Sequence, residues 1–130
     1  AHMYRKIGEE FIADDFAHEQ SVVFETGKGL VIFNSCSHGG IVNIVREVQM
    51  ALGGQKVYAV VGGFHMMKLS GMDTLAIPEE EVVETAQELK GLGVEEIYTG
   101  HCTGNIAFRI LKKELGEMVH ALGTGETVVF

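Results

Sequence analysis

In Leu30-Val31-Ile32-Phe33-Asn34-Ser35-Cys36-Ser37-His38-Gly39-Gly40-Ile41-Val42-Asn43-Ile44-Val45, one hydrophobic period gives way to another. The first five residues are β-rich, four of them apolar, as in a buried strand. Beyond Gly39-Gly40 the apolar residues Ile41, Ile44, Val45, Val48 and Leu52 fall at helical spacing on one face, and Gly53-Gly54 ends the run. The stretch predicts a strand, a short loop carrying Cys36 and His38, and an amphipathic helix.

The same alternation continues in both directions. Upstream, residues 19–26 form a second β-rich run, and Gly27-Lys28-Gly29 supplies the turn of an antiparallel hairpin. Downstream, residues 56–61 predict a strand buried on both faces, ending at Gly62-Gly63. Residues 66–77 read as a loop. Pro78 followed by Glu79, Glu80 and Glu81 opens a second helix, with proline in the first turn and acids at the positive dipole end. A strand over 94–99 and a helix marked by Ile106, Ile110 and Leu111 complete a third unit. A terminal hairpin is expected from residues 118–122 and 127–130 around Gly123-Thr124-Gly125.

Strand and helix in strict alternation imply parallel strands with right-handed crossovers. The expected fold class is α/β, a mixed sheet with helices on one face and one domain over residues 4–130; Ala1-His2-Met3 reads as a cloning remnant. Alternation along the strands predicts that Val23, Val31, Phe33, Val57, Ala59 and Val61 face the helices. Val22, Phe24, Ile32, Tyr58 and Val60 are then left uncovered, so self-association is expected.

Composition narrows the function. The 130 residues carry 10 basic and 18 acidic side chains, a formal charge of −8, with the basic residues scattered. Nucleic-acid and anionic-membrane partners are disfavoured. The longest apolar runs fall short of a membrane span, and a cytoplasmic location is expected. Only two cysteines occur, each within two positions of a histidine, which argues against a disulfide framework.

Each of the three central strands delivers small residues and a histidine at its C-terminal end: His38, His65 and His101. Parallel neighbours lie about 4.8 Å apart, so imidazoles on adjacent loops can converge on a divalent transition metal. Zinc comes first, with manganese, iron and nickel in the same class. Gly39, Gly40, Gly63, Thr103 and Gly104 beside them are the expected substrate-binding positions, since residues this small leave room for an ion and its ligand. The Gly39-Gly40 step could also offer amides to an anion. Cys36 and Cys102 could be soft ligands, nucleophiles or packing residues, with packing the default. Asp14, Asp15 and Glu19 read as either orienting carboxylates or a solvated edge, and His18 and His120 as solvated or structural.

The run of residues 35–43, then Gly62-Gly63-Phe64-His65, then His101-Cys102-Thr103-Gly104, resembles the C-terminal half of the metallo-β-lactamase superfamily. Within it the likeness is to the group named after dihydropterin-methyl-ribofuranosylaminobenzene phosphate synthase, and it spans roughly residues 14–130. The resemblance implies half of a four-layer αββα fold, with a one- or two-metal site at the sheet edges. It makes His38 the ligand after the first strand of this half and His101 the family's last ligand. His65 lies near where many members carry a bridging acid. Asn34-Ser35 departs from the glycine that often precedes the cysteine, and no His-x-His-x-Asp-His occurs in the sequence.

In function, the resemblance implies part of a metal-dependent hydrolase or related transferase acting on a phosphorylated or ester-containing small molecule. The isolated chain is expected to be inactive. Its expected partner is a missing N-terminal half or a second copy in a homo-oligomer. The alternative is a non-catalytic oligomeric assembly domain retaining a residual histidine site.

Overall fold

A computed structural model describes residues 3–130; Ala1 and His2 of the expected cloning remnant lie outside the described residues. A small antiparallel pair, β1 (Tyr4–Ile7) and β2 (Glu10–Ala13), precedes the main sheet. Nothing in the sequence pattern anticipates it. Tyr4, Ile7 and Phe11 are mostly exposed there, so no buried face imprints a hydrophobic alternation on these residues.

The main sheet takes in β3 (Ser21–Thr26), β4 (Gly29–Asn34), β5 (Val57–Gly62), β6 (Glu96–Thr99) and β7 (Val119–Ala121), and their spatial order is their chain order. β3 and β4 form the expected hairpin, and every later pairing is parallel. Between the strands run α1 (Ile41–Ala51), α2 (Glu79–Gly91) and α3 (Asn105–Leu115). When each strand is added beside the last by a right-handed crossover, every connecting helix falls on the same face. α2 accordingly packs against both α1 and α3.

The expected terminal hairpin is not formed. β7 joins β6 in parallel, pairing Ile97 with Val119, because α3 returns the chain to the free edge of β6 as one more crossover unit. Residues 127–130 are no strand. Phe130 instead packs edge-on against Phe33 and Tyr98 on the face away from the helices.

The facing of the strand residues is also corrected. Directly opposed residues of an antiparallel pair share a face, and Val23 lies opposite Ile32, Val22 opposite Phe33, and Phe24 opposite Val31. Ile32 therefore joins Leu30, Val57, Val60, Ile97 and Val119 in the core under the helices. Val31 and Phe33 belong to the other face with Tyr58, Ala59 and Val61. A register irregularity between Leu30 and Val31, where the partners step from Val57 to Ala59, interrupts the two-residue period. Val22 and Phe24 are uncovered as expected, 55% and 56% exposed. The sheet thus places the ends of β4, β5 and β6 along one edge, where the three histidine loops begin.

Candidate functional site

The loop after β4 is built around an acid from elsewhere. Glu19 Oε1 accepts the His38 N–H at 2.7 Å and Oε2 accepts the Gly39 N–H at 3.0 Å. The same Oε1 stands 3.5 Å from His38 Nδ1, and the carboxylate is largely buried. Glu19 is therefore the orienting carboxylate of the two alternatives. It also occupies the place where an anion was expected at the Gly39-Gly40 step, and the Gly40 N–H is bonded to the Ser37 carbonyl. Beside them the Ser37 hydroxyl is buried without a partner.

The loop after β5 lies so close to its neighbours that side chains would not fit. A Cβ on Gly62 would come within 1.8 Å of the Asn34 carbonyl oxygen, and one on Gly63 within 2.5 Å of Cys102 Sγ. Phe64 N–H donates to Thr103 Oγ at 2.9 Å, and His65 N–H donates to Cys102 Sγ at 3.3 Å. The loop after β6 is a 3-10 turn, His101–Thr103, so that β5 and β6 are tied together at their ends. Thr103, expected at the substrate, is fully buried and bonded to Thr99 Oγ, and its role is that of a tie. At Gly104, which opens α3 with φ +77°, a Cβ would crowd Met67 and the Met72 carbonyl.

Each loop carries a non-glycine residue in the left-handed region: Ser37 at φ 53°, His65 at 52° and His101 at 49°. Such conformations cost of order 1–3 kcal/mol and cluster where function fixes the backbone.

The histidines are divided between two groups. The rings of His38 and His65 meet edge to face with centroids 4.4 Å apart, and Phe16 stacks on His38 at 5.8 Å. Burial first, and the neighbouring His38 second, hold the His65 imidazole below its ordinary range, favouring the neutral ring that has a lone pair to give. His101 is grouped instead with Cys36 and Cys102, their donor atoms all within 4.8 Å of one another. Burial pushes the Cys102 thiol up to about 11. A cleft of about 210 Å³ opens at His38, His65 and Gly40, walled by Phe16, Phe64 and Ile77. A shallower groove of about 460 Å³ runs past His101, Gly63 and Gly100. His18 and His120 stand outside both groups, beside Asp14 and Glu96 respectively.

Glu19 and the thiol pair are what sequence reasoning ranked too low. Glu19 lies 20 positions before Gly39, and the available signal was the β3–β4 hairpin, which sets the start of β3 beside the end of β4. The convergence of Cys36 with Cys102, 66 positions away, left none.

No family model matches the chain. Among solved structures it is similar to a metal-dependent hydrolase of the beta-lactamase superfamily, with a TM-score of 0.84 and 30% identity, covering 98% of this chain and 46% of that one. The mixed sheet with one-sided helices is thus the architecture of half of a metallo-β-lactamase fold. Among curated proteins the chain is 36% identical over 128 residues to the 7,8-dihydropterin-6-methyl-4-(beta-D-ribofuranosyl)-aminobenzene-5'-phosphate synthase of Methanocaldococcus jannaschii. That match takes in 98% of this chain and 41% of the relative, so the chain spans about two fifths of the length of the curated relative it matches. The likeness drawn from the three motifs is thereby borne out. Among the described residues, no helix is long and apolar enough to cross a membrane.

Proposed function

We propose that this chain is half of a metal-dependent hydrolase or related transferase, and that His38, His65 and His101 contribute its share of a divalent-metal site. The observation that carries this is the delivery of donors by three successive strand-end loops to one edge of the sheet. The residues fit such an ion: imidazoles and thiols are the donors of borderline metals, zinc first, with manganese, iron and nickel after it. The orphaned Ser37 hydroxyl beside His38 is a further group waiting for a partner.

A divalent metal bound there supplies Lewis-acid activation of water and of the scissile group. The chain's own residues do the rest. Glu19 accepts the backbone N–H groups of His38 and Gly39 and aims the His38 imidazole, with Nδ1 facing the carboxylate. Phe16, Phe64 and Ile77 offer an apolar wall for the body of a small molecule. Gly40 and Gly63 border the cleft and the groove, where substrate would approach, while Gly39 and Gly104 shape the loops. The relative's name ends in a 5'-phosphate synthase and supports a phosphorylated substrate; an ester-containing one fits the same chemistry. The open sheet face, with Val22 and Phe24, is proposed to be covered by another half of the fold or by a second copy. That face also favours a second reading, a non-catalytic assembly domain. Turnover by the assembled protein that is lost in His38→Ala would decide against it.

Metal analysis of the chain purified without chelator tests the proposal. His38→Ala and His101→Ala are expected to retain less metal than the parent, with affinity lowered at least about tenfold. Equal metal content in all three would overturn it.

A further inference from the structure

We propose that Cys36, His101 and Cys102 form a sulfur-rich metal site, with donors distinct from the His38–His65 pair. The proposal rests on the metal-binding edge described above and adds to it the two thiols that no sequence spacing places together. Sγ of Cys36, Sγ of Cys102 and a ring nitrogen of His101 lie within 4.8 Å of one another. Ligand atoms on a tetrahedral zinc, at metal–sulfur distances near 2.3 Å and metal–nitrogen near 2.0 Å, are about 3.5–3.8 Å apart, so a small inward movement closes the set.

Packing alone accounts poorly for this arrangement. A buried cysteine used as a small apolar residue needs no polar partner. Cys102 has two, the His65 N–H aimed at its sulfur at 3.3 Å and the Cys36 carbonyl oxygen to which its S–H donates at 3.7 Å, so that the loops after β4 and β5 both converge on this sulfur. Gly63 is forced by the same sulfur, since a Cβ there would come within 2.5 Å of it. His101 is held at φ 49°, a cost that packing of an exposed ring does not repay. Because His101 is exposed and borders the groove of about 460 Å³, the fourth position of a tetrahedron stays open to solvent or to a ligand. Two thiolates and an imidazole select zinc, cadmium or cobalt over magnesium and calcium, whose ligands are oxygen.

Titration of the chain with cobalt(II), in anaerobic buffer with a non-thiol reductant, tests this. The expected result is one equivalent bound with the near-ultraviolet charge-transfer absorption of a cobalt–thiolate bond, in addition to any cobalt held at His38 and His65. Cys36→Ser, at a half-buried position, should lose a large part of that absorption, and His101→Ala should weaken binding at least about tenfold. His38→Ala should leave the absorption in place. Circular dichroism of each variant establishes that it is folded. Because Cys102→Ser lies deeper and can fail to fold, protection of both parent thiols from alkylation by added zinc is the second measurement. Cobalt bound without the sulfur absorption, and lost in His38→Ala, would support the histidine reading and overturn the sulfur site. Cobalt not bound at all would overturn both.

Discussion

The two faces of the five-stranded sheet are made of similar residues and meet different fates. Under the helices, Leu30, Ile32, Val57, Val60, Ile97 and Val119 lie against apolar side chains of α1, α2 and α3. On the other side Val31, Tyr58, Ala59 and Val61 are buried beneath little more than Phe33, Tyr98 and Phe130, and Val22 and Phe24 protrude. Hydrophobicity along the strands does not distinguish the sides. The handedness of the crossovers does, because it sends every helix to one side and leaves the other without one.

The largest effect is expected on the covered face. Ile32→Ala removes a fully buried side chain from between sheet and helices and should cost about 2–5 kcal/mol of unfolding free energy, read from denaturant titration. A cost below that of a surface substitution would mean that the helices do not close on this face.

Phe130→Ala comes next. It deletes the edge-on contacts with Phe33 and Tyr98, and two aromatic pairs together are worth about 1–3 kcal/mol. No change in stability would show that the C-terminal residue covers nothing, and the contrast between the faces would be sharper than described.

Phe24→Lys should have the smallest effect on the folded chain, about 0.5–1.5 kcal/mol, because its side chain is already more than half exposed and gives up one edge-on contact, with Phe33. Its consequence lies in association: sedimentation at micromolar concentration should find the parent self-associating and the variant shifted to monomer. A parent that stays monomeric as concentration rises would break the comparison, since the open face would then need no cover.

Much of this fold was legible because burial leaves a period. Ile41, Ile44 and Val45 identify α1 by their spacing, and Val57 to Val61 identify β5 by a continuous apolar run, since both elements are packed on what they face. β1 and β2 left no such imprint, being exposed on both sides. β7 was recognisable as a strand but not as a parallel one, because a β-rich run before Gly123-Thr124-Gly125 looks the same whether its partner is the next run or β6. That Val57 and Val60 share the helix face, three positions apart, depended on a register irregularity in β5 that only the paired strands reveal. In the site, His38, His65 and His101 were visible as strand-end residues. Their division into a ring pair and a sulfur-bearing trio was not, since it depends on which loops touch.

The agreement of strand order with chain order bears on how the molecule comes to exist. No strand of the main sheet has to be inserted between two that are already paired; each joins the free edge left by its predecessor. The β3–β4 hairpin closes a short local turn, and every later addition closes one loop whose entropic cost grows only logarithmically with its length. The sheet can therefore be assembled in the direction in which a ribosome delivers it, one crossover at a time, with Phe130 following the strands it covers.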